Sequence, residues 1–406
     1  MRSVGRFLAL EGNIRVMALQ TLVSQLGFGM MYVVWQPYIL SLGLSITQLG
    51  VIQSVINLST ATGLVAWGAI SDRVGRKPIV LLSNASRLAA MLAIVASGNH
   101  LFLYVFAFFV GFSALWMQAN PARSALISES VGAGNRATAY STLMAISQIT
   151  NMVAASAGGY LAIVTGYYTI FYVCVAGDVV GLALLLLFVK ETHIPRKQEG
   201  GGLGLGATLR RYIVPERKIL PLYAIMLAMG FGYNTGWSIF NGALVDTYGL
   251  NTLQLGIMST AFSLVWGVSS IPLGKLADRV GRKSMLLASC FFAVATNIGF
   301  VIFHSFEAFV LFNALSAFDP ACWAPSWVSL VSEKVPPSER STALGKLDAY
   351  NRFAGIPAPY LAGLLYTRYG FAAPLLVLVG FAAIWSLMVL RLDTTPAKDA
   401  QVRRAS

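Results

Sequence analysis

Twelve apolar runs, each about long enough to cross a lipid bilayer as a helix, dominate this chain of 406 residues. They fall at roughly 14–40, 47–70, 78–97, 101–122, 137–163, 168–190, 219–243, 253–274, 284–303, 306–330, 341–366 and 372–391. Crossing the hydrocarbon takes about 20 residues of helix, and only helices or closed barrels satisfy their own backbone there. One such run could be the buried core helix of a soluble protein. A dozen cannot, because charged residues make up only 11% of the chain, against about 25% in a soluble domain. The expected fold is an all-α membrane protein of twelve transmembrane helices.

The net charge of +13 raises the question of a nucleic-acid partner. Its distribution answers against one. With the N-terminus placed inside, all of the 29 Lys and Arg except Arg87, Arg352 and Arg368 fall in or beside cytoplasmic segments. That is a positive-inside pattern with both termini cytoplasmic, and the basic residues read as topology determinants and contacts to anionic membrane lipids. No cleavable signal is evident, since Arg2, Arg6 and Arg15 lead straight into a full-length span. The three cysteines, Cys174, Cys290 and Cys322, have no regular spacing and read as small packing residues. No cofactor, metal site, nucleophile–base set or phosphate-binding loop is found, so an enzyme is not expected.

The chain is duplicated. Gly68-Ala69-Ile70-Ser71-Asp72-Arg73-Val74-Gly75-Arg76-Lys77 returns as Gly274-Lys275-Leu276-Ala277-Asp278-Arg279-Val280-Gly281-Arg282-Lys283. Pro121, Glu129 and Arg136 return as Pro325, Glu333 and Arg340 at a constant offset of 204 residues. Matched halves in a membrane are the usual architecture of a transporter. The expected domains are a bundle at 1–190, a cytoplasmic linker at 191–218 and a second bundle at 219–406 with a short tail. In the linker, Leu205, Leu209 and Ile213 opposite Arg210 and Arg211 could form a short interfacial helix or belong to a flexible tether.

The repeated motif has a physical reading. Gly68 and Gly274 would let another helix pack closely. Gly75 and Gly281 would take positive φ and turn the chain. Asp72 and Asp278 could accept from a neighbouring helix N-terminus. Arg73, Arg76, Arg279 and Arg282 would pair with acids at the same face, with Glu129 and Glu333 as candidates. Such pairs could hold the halves together in one conformation and release them in another. Gly-x-x-x-Asp-Arg-x-Gly-Arg-Lys after the second span, repeated after the eighth, resembles the signature loop of the major facilitator superfamily. The resemblance implies two pseudo-symmetric six-helix bundles that rock about a central cavity, with spans one, four, seven and ten lining it. Drug–proton antiporters of that family carry an Arg in span four and a Gly-Pro element in span five. Here Phe106–Ala114 is uncharged, and span five keeps Gly158-Gly159 without Gly-Pro.

Charges inside a membrane are functional suspects by default. Asp319 falls mid-span in run ten, where burial penalises the charged form, and is the preferred proton carrier. Asp348 and Arg352 lie four apart in run eleven, hence on one helix face, and could be a coupling pair or a self-satisfied one. Arg87 and Asp178 lie in supporting spans and read as structural, Arg87 reaching toward the inner surface. The resemblance places further residues at the cavity: Gln25, Tyr32 and Gln36 in run one, Trp116 and Asn120 in run four, Asn234 and Trp237 in run seven, and Trp323 in run ten. These suit a largely apolar site with a few hydrogen-bonding groups. The expected function is proton-coupled export of a lipophilic organic compound across the plasma or inner membrane, by a monomer. The alternatives are a symporter importing an organic acid held by Arg352, and a non-transporting receptor on the same scaffold.

Overall fold

The computed structural model describes residues 10–115, 120–132, 135–192, 214–336 and 340–392; Trp116 and the expected linker helix lie outside them, as do the side chains of Asp72 and Asp278. The described residues form sixteen α-helices and one 3-10 turn, with no strand among them. They are α1 Gly12–Ser41, α2 Ile46–Val74, α3 Arg76–Val95, α4 Leu101–Phe112, α5 Pro121–Glu129, α6 Arg136–Thr165, α7 Tyr167–Phe188, α8 Leu220–Trp237, α9 Phe240–Tyr248, α10 Thr252–Val280, α11 Arg282–Ile302, α12 Phe306–Ser316, α13 Phe318–Lys334, α14 Arg340–Ala354, α15 Ala358–Tyr369 and α16 Ala372–Arg391. They fall on the twelve apolar runs. Seven of them contain stretches long and apolar enough to cross a membrane unaided. Runs four, seven, ten and eleven are each broken into two helices.

The breaks have chemical causes. Asn120 and Pro121 start α5: the Asn120 side chain caps the helix by accepting from the Arg123 amide at 3.1 Å, and proline fills the first position, where no N–H is needed. Pro357 restricts Ile356 and precedes α15. Pro320, in the first turn of α13, cannot donate to a carbonyl of α12. Run seven bends at Ser238 and Ile239 without a proline.

The chain forms two compact units, Met1–Leu44 with Val51–Gly202 and Leu250–Thr260, and Ser45–Gly50 with Leu203–Gly249 and Ala261–Ser406. Each is built alike. In the first, α1 packs on α6 and α7, and α3 packs on α4, α5 and α7. In the second, α8 packs on α14, α15 and α16, and α11 packs on α12, α13 and α16. Small residues allow the closest approaches, as expected where apolar lipid gives helices no hydrophobic reason to associate. A Cβ on Gly27 of α1 would stand 2.6 Å from the Cys174 Cα of α7. All three cysteines are buried and free. Arg87 does not reach a surface. It is buried on α3, donates twice to the Asp178 carboxylate of α7, and lies 5.3 Å from the centre of the Phe28 ring.

Candidate functional site

In the second unit, Asp319 lies in the first turn of α13 and is only 7% exposed. Its Oδ1 accepts from the Ser289 hydroxyl of α11 and its Oδ2 from the Tyr233 hydroxyl of α8. The Tyr233 ring is itself stacked on Trp385 of α16 at 5.2 Å. Among the described residues no cation pairs with Asp319, so a buried carboxylate is held by two hydroxyls alone. The acid therefore points into the bundle formed by α8, α11 and α13.

The other expected residues of this unit are scattered. Trp323 is buried and stacks on Trp327 at 5.1 Å within the core. Trp237 packs edge-on against Phe300 and tilted against Phe240. Asn234 donates to the Gly230 carbonyl one turn back and sits against Gly355. Asp348 and Arg352 close on each other at 3.0 Å along α14, with Asp348 half exposed.

In the first unit, Gln25 donates to Asn151 of α6 at 2.7 Å. Tyr32 is 46% exposed on the same face of α1 as Gln25, and Leu19, Leu22 and Leu26 form an exposed apolar stripe on another face of that helix. Gln36 is buried. Asn120 is wholly buried and does not line an opening: besides capping α5, its amide donates to the Ser83 hydroxyl at 2.9 Å and the Ser113 carbonyl at 3.2 Å, satisfying the break in run four. The unexpected residue is Arg123, two positions into α5. It is 4% exposed and donates to Gln20 Oε1 at 2.9 Å and Thr21 Oγ1 at 2.6 Å, both on α1. An apolar run that ends at residue 122 puts this arginine among the cytoplasmic anchors.

The duplicated motif makes duplicated contacts. Gly75 has φ +114° and Gly281 φ +88°, each ending one helix and starting the next. Arg76 pairs with Glu129 at 3.2 Å and Arg282 with Glu333 at 2.8 Å. The Lys77 ammonium donates to the Leu186 carbonyl at 2.8 Å, and the Lys283 ammonium to the Leu390 carbonyl at 2.6 Å, each near the end of its unit's last helix. Both ion pairs are closed inside their own unit, so these pairs do not join the halves, contrary to the expectation from sequence. Arg73, Arg279 and Arg340 are exposed, and Arg136 donates to the Ser128 carbonyl at 3.0 Å. A Cβ on Gly68 would meet Pro121 at an ordinary 3.5 Å, and one on Gly274 would meet nothing, so neither glycine is required by a close approach.

A residue outside the motif completes it. Glu191, just past α7, accepts from the Arg76 amide at 3.0 Å and the Lys77 amide at 2.9 Å, placing a carboxylate on the N-terminus of α3.

The model of the Major Facilitator Superfamily matches residues 17–240 and again 222–406. The chain belongs to the Major Facilitator Superfamily. Multidrug resistance protein MdtG of Klebsiella pneumoniae (strain 342) is 23% identical over 365 residues, covering 86% of this chain and 85% of its own. Its namesake in Salmonella typhi is 24% identical over 356 residues, covering 84% and 85%. Among solved structures, the nucleoside transporter NupG superposes with a TM-score of 0.75 at 13% identity, over 93% of this chain and 99% of its own. The human organic anion transporter MFSD10 gives 0.61 at 16%, over 93% and 98%. At such identities these structures speak for the fold alone. Membership in the Major Facilitator Superfamily makes the chain a multi-pass membrane secondary transporter of small molecules.

Proposed function

We propose that the chain exports a lipophilic organic compound in exchange for protons, with Asp319 as the proton carrier. The observation that carries this reading is the setting of Asp319. A buried carboxylate without a cation is costly as the anion, while its two hydroxyl partners keep the charged form attainable. A group poised in that way can load and unload a proton as its surroundings change. The exposed Tyr32 ring, on the face of α1 that carries the part-exposed Gln25, supports a lipophilic cargo. The relatives named multidrug resistance protein support export. The positive-inside charge supports cytoplasmic termini, which puts the motif loops at the cytoplasmic face. Import of an organic acid held by Arg352 has less support, because Asp348 occupies that guanidinium.

The test is purified protein in proteoliposomes with an imposed pH gradient and fluorescent lipophilic probes. Accumulation should follow the gradient in the wild type. Asp319→Asn should bind the probe and fail to concentrate it. Full gradient-driven accumulation by Asp319→Asn would remove Asp319 from the mechanism.

A further inference from the structure

Among the described side chains three cations are buried: Arg87, Arg123 and Lys346. Arg87 has the Asp178 carboxylate, and Lys346 has that of Glu216 at 2.9 Å. Arg123 has no carboxylate among the described residues. Its two acceptors, Gln20 and Thr21, are neutral and take two of the five N–H groups a guanidinium offers. Arg87 is close enough to act on it electrostatically with the same sign. The helix position does not explain the residue either. A cation in the first turn of α5 faces the positive end of the helix dipole, which is unfavourable.

The guanidinium is nonetheless held in place. Gln20 donates to Asn84 and to Ser24, each at 3.2 Å, which turns its carbonyl oxygen toward Arg123. The backbone amide of Arg123 is fixed by the Asn120 cap. A positive, fork-shaped donor with N–H groups to spare, buried among neutral partners, matches a planar or tetrahedral oxyanion in charge and shape. It also lies beside a part-exposed surface. Thr21, Gln25 and Tyr32 share one face of α1, on which Gln25 is part-exposed and Tyr32 exposed.

We infer that Arg123 receives an anionic oxygen group, a carboxylate or phosphonate, on the transported compound, so that the substrates are lipophilic organic anions. The apolar body would lie toward Gln25 and Tyr32 on that face of α1, and the charged group would accept from the N–H groups not taken by Gln20 and Thr21. This rests on the reading of the chain as an exporter of lipophilic compounds and names their charge. The second half has no counterpart, since at the offset of 204 residues the position of Arg123 is held by Trp327.

The test uses three probes with one apolar body: pyrenebutanoate, its N-methyl amide, and the matching pyrenebutyl trimethylammonium ion. Binding is read by fluorescence with the full-length protein in nanodiscs, and flux in proteoliposomes. The wild type should bind the carboxylate about tenfold or more tightly over the amide, the scale of a charge-assisted hydrogen bond. Arg123→Gln should lose that preference and keep its affinity for the amide; Arg123→Lys should keep part of the preference. Equal wild-type affinities, a preference for the cation, or a preference surviving in Arg123→Gln would each overturn the assignment. If Arg123→Gln does not fold, the wild-type ranking alone decides. Gradient-driven flux of the amide or cation without selection for the anion would sink this inference and leave proton-coupled export standing. Tight carboxylate binding with no gradient-driven flux of any probe would sink export and leave Arg123 standing.

Discussion

Arg282 meets Glu333 at 2.8 Å, and both residues belong to one unit; Arg76 meets Glu129 at 3.2 Å within the other. An ion pair closed inside a bundle cannot fasten that bundle to its neighbour. What it fixes is the shape of a turn, because it ties the start of α11 to the end of α13, and the start of α3 to the end of α5. The pairs are about one-third exposed or less, so their worth to folding is small, about 0–1 kcal/mol each.

Charge reversal tests that role. Arg282→Glu should lower flux severalfold with little change in thermal unfolding, since two acids then face each other. The exchange Arg282→Glu with Glu333→Arg should recover most of the flux. A double variant as poor as the single one would mean that the residues matter for something other than each other.

The buried pair of Arg87 and Asp178 should behave in the opposite way. Asp178→Asn leaves a buried guanidinium without its counter-charge and should destabilise the first unit by about 3–5 kcal/mol. Replacing both, Arg87→Met with Asp178→Leu, should cost much less. Denaturation of the purified variants in detergent reads the difference, and equal losses would contradict it.

The glycines of the motif separate by backbone conformation. Gly75 and Gly281 hold positive φ, and at Gly75 a Cβ would also press on the Glu191 carboxylate at 2.7 Å. Gly75→Ala and Gly281→Ala should each cost about 1–3 kcal/mol, since positive φ with extended ψ is open essentially to glycine alone. Gly68→Ala and Gly274→Ala should be near neutral in unfolding experiments, because the space is there.

Tyr233→Phe keeps the ring on Trp385 and removes only the hydroxyl offered to Asp319. Flux driven by a pH gradient should fall severalfold while unfolding changes little. Ser289→Ala should act in the same direction. Undiminished flux in both variants would mean that these hydroxyls do not serve the carboxylate in transport.

The apolar runs and the repeat carried most of the fold in plain sight, because a bilayer allows few solutions to a charge-poor chain. The internal breaks were harder to see. Hydropathy runs smoothly through residues 101–122, yet Asn120-Pro121 is a helix start by its own chemistry, and reading it would have moved Asn120 from the cavity to a cap. Arg123 was hidden for the same reason: three residues beyond that cap, it looked like one more anchor at the membrane edge. Glu191 was hidden by distance, since nothing in the sequence links it to a turn more than one hundred residues earlier. The Arg87–Asp178 pair illustrates a general limit, because spacing shows that two charges are expensive but not that they neutralise each other.

The contacts of Glu191 reach further than the turn they complete. Its neighbour Thr192 donates to Glu129 at 2.7 Å, so the third and fourth residues after α7 are fastened to the beginning of α3 and the end of α5. The segment joining the halves therefore does not hang from Phe188. Its mechanical root is a three-way knot, and a pull along the connector would load the loop between α2 and α3 before it loaded the last helix of the bundle.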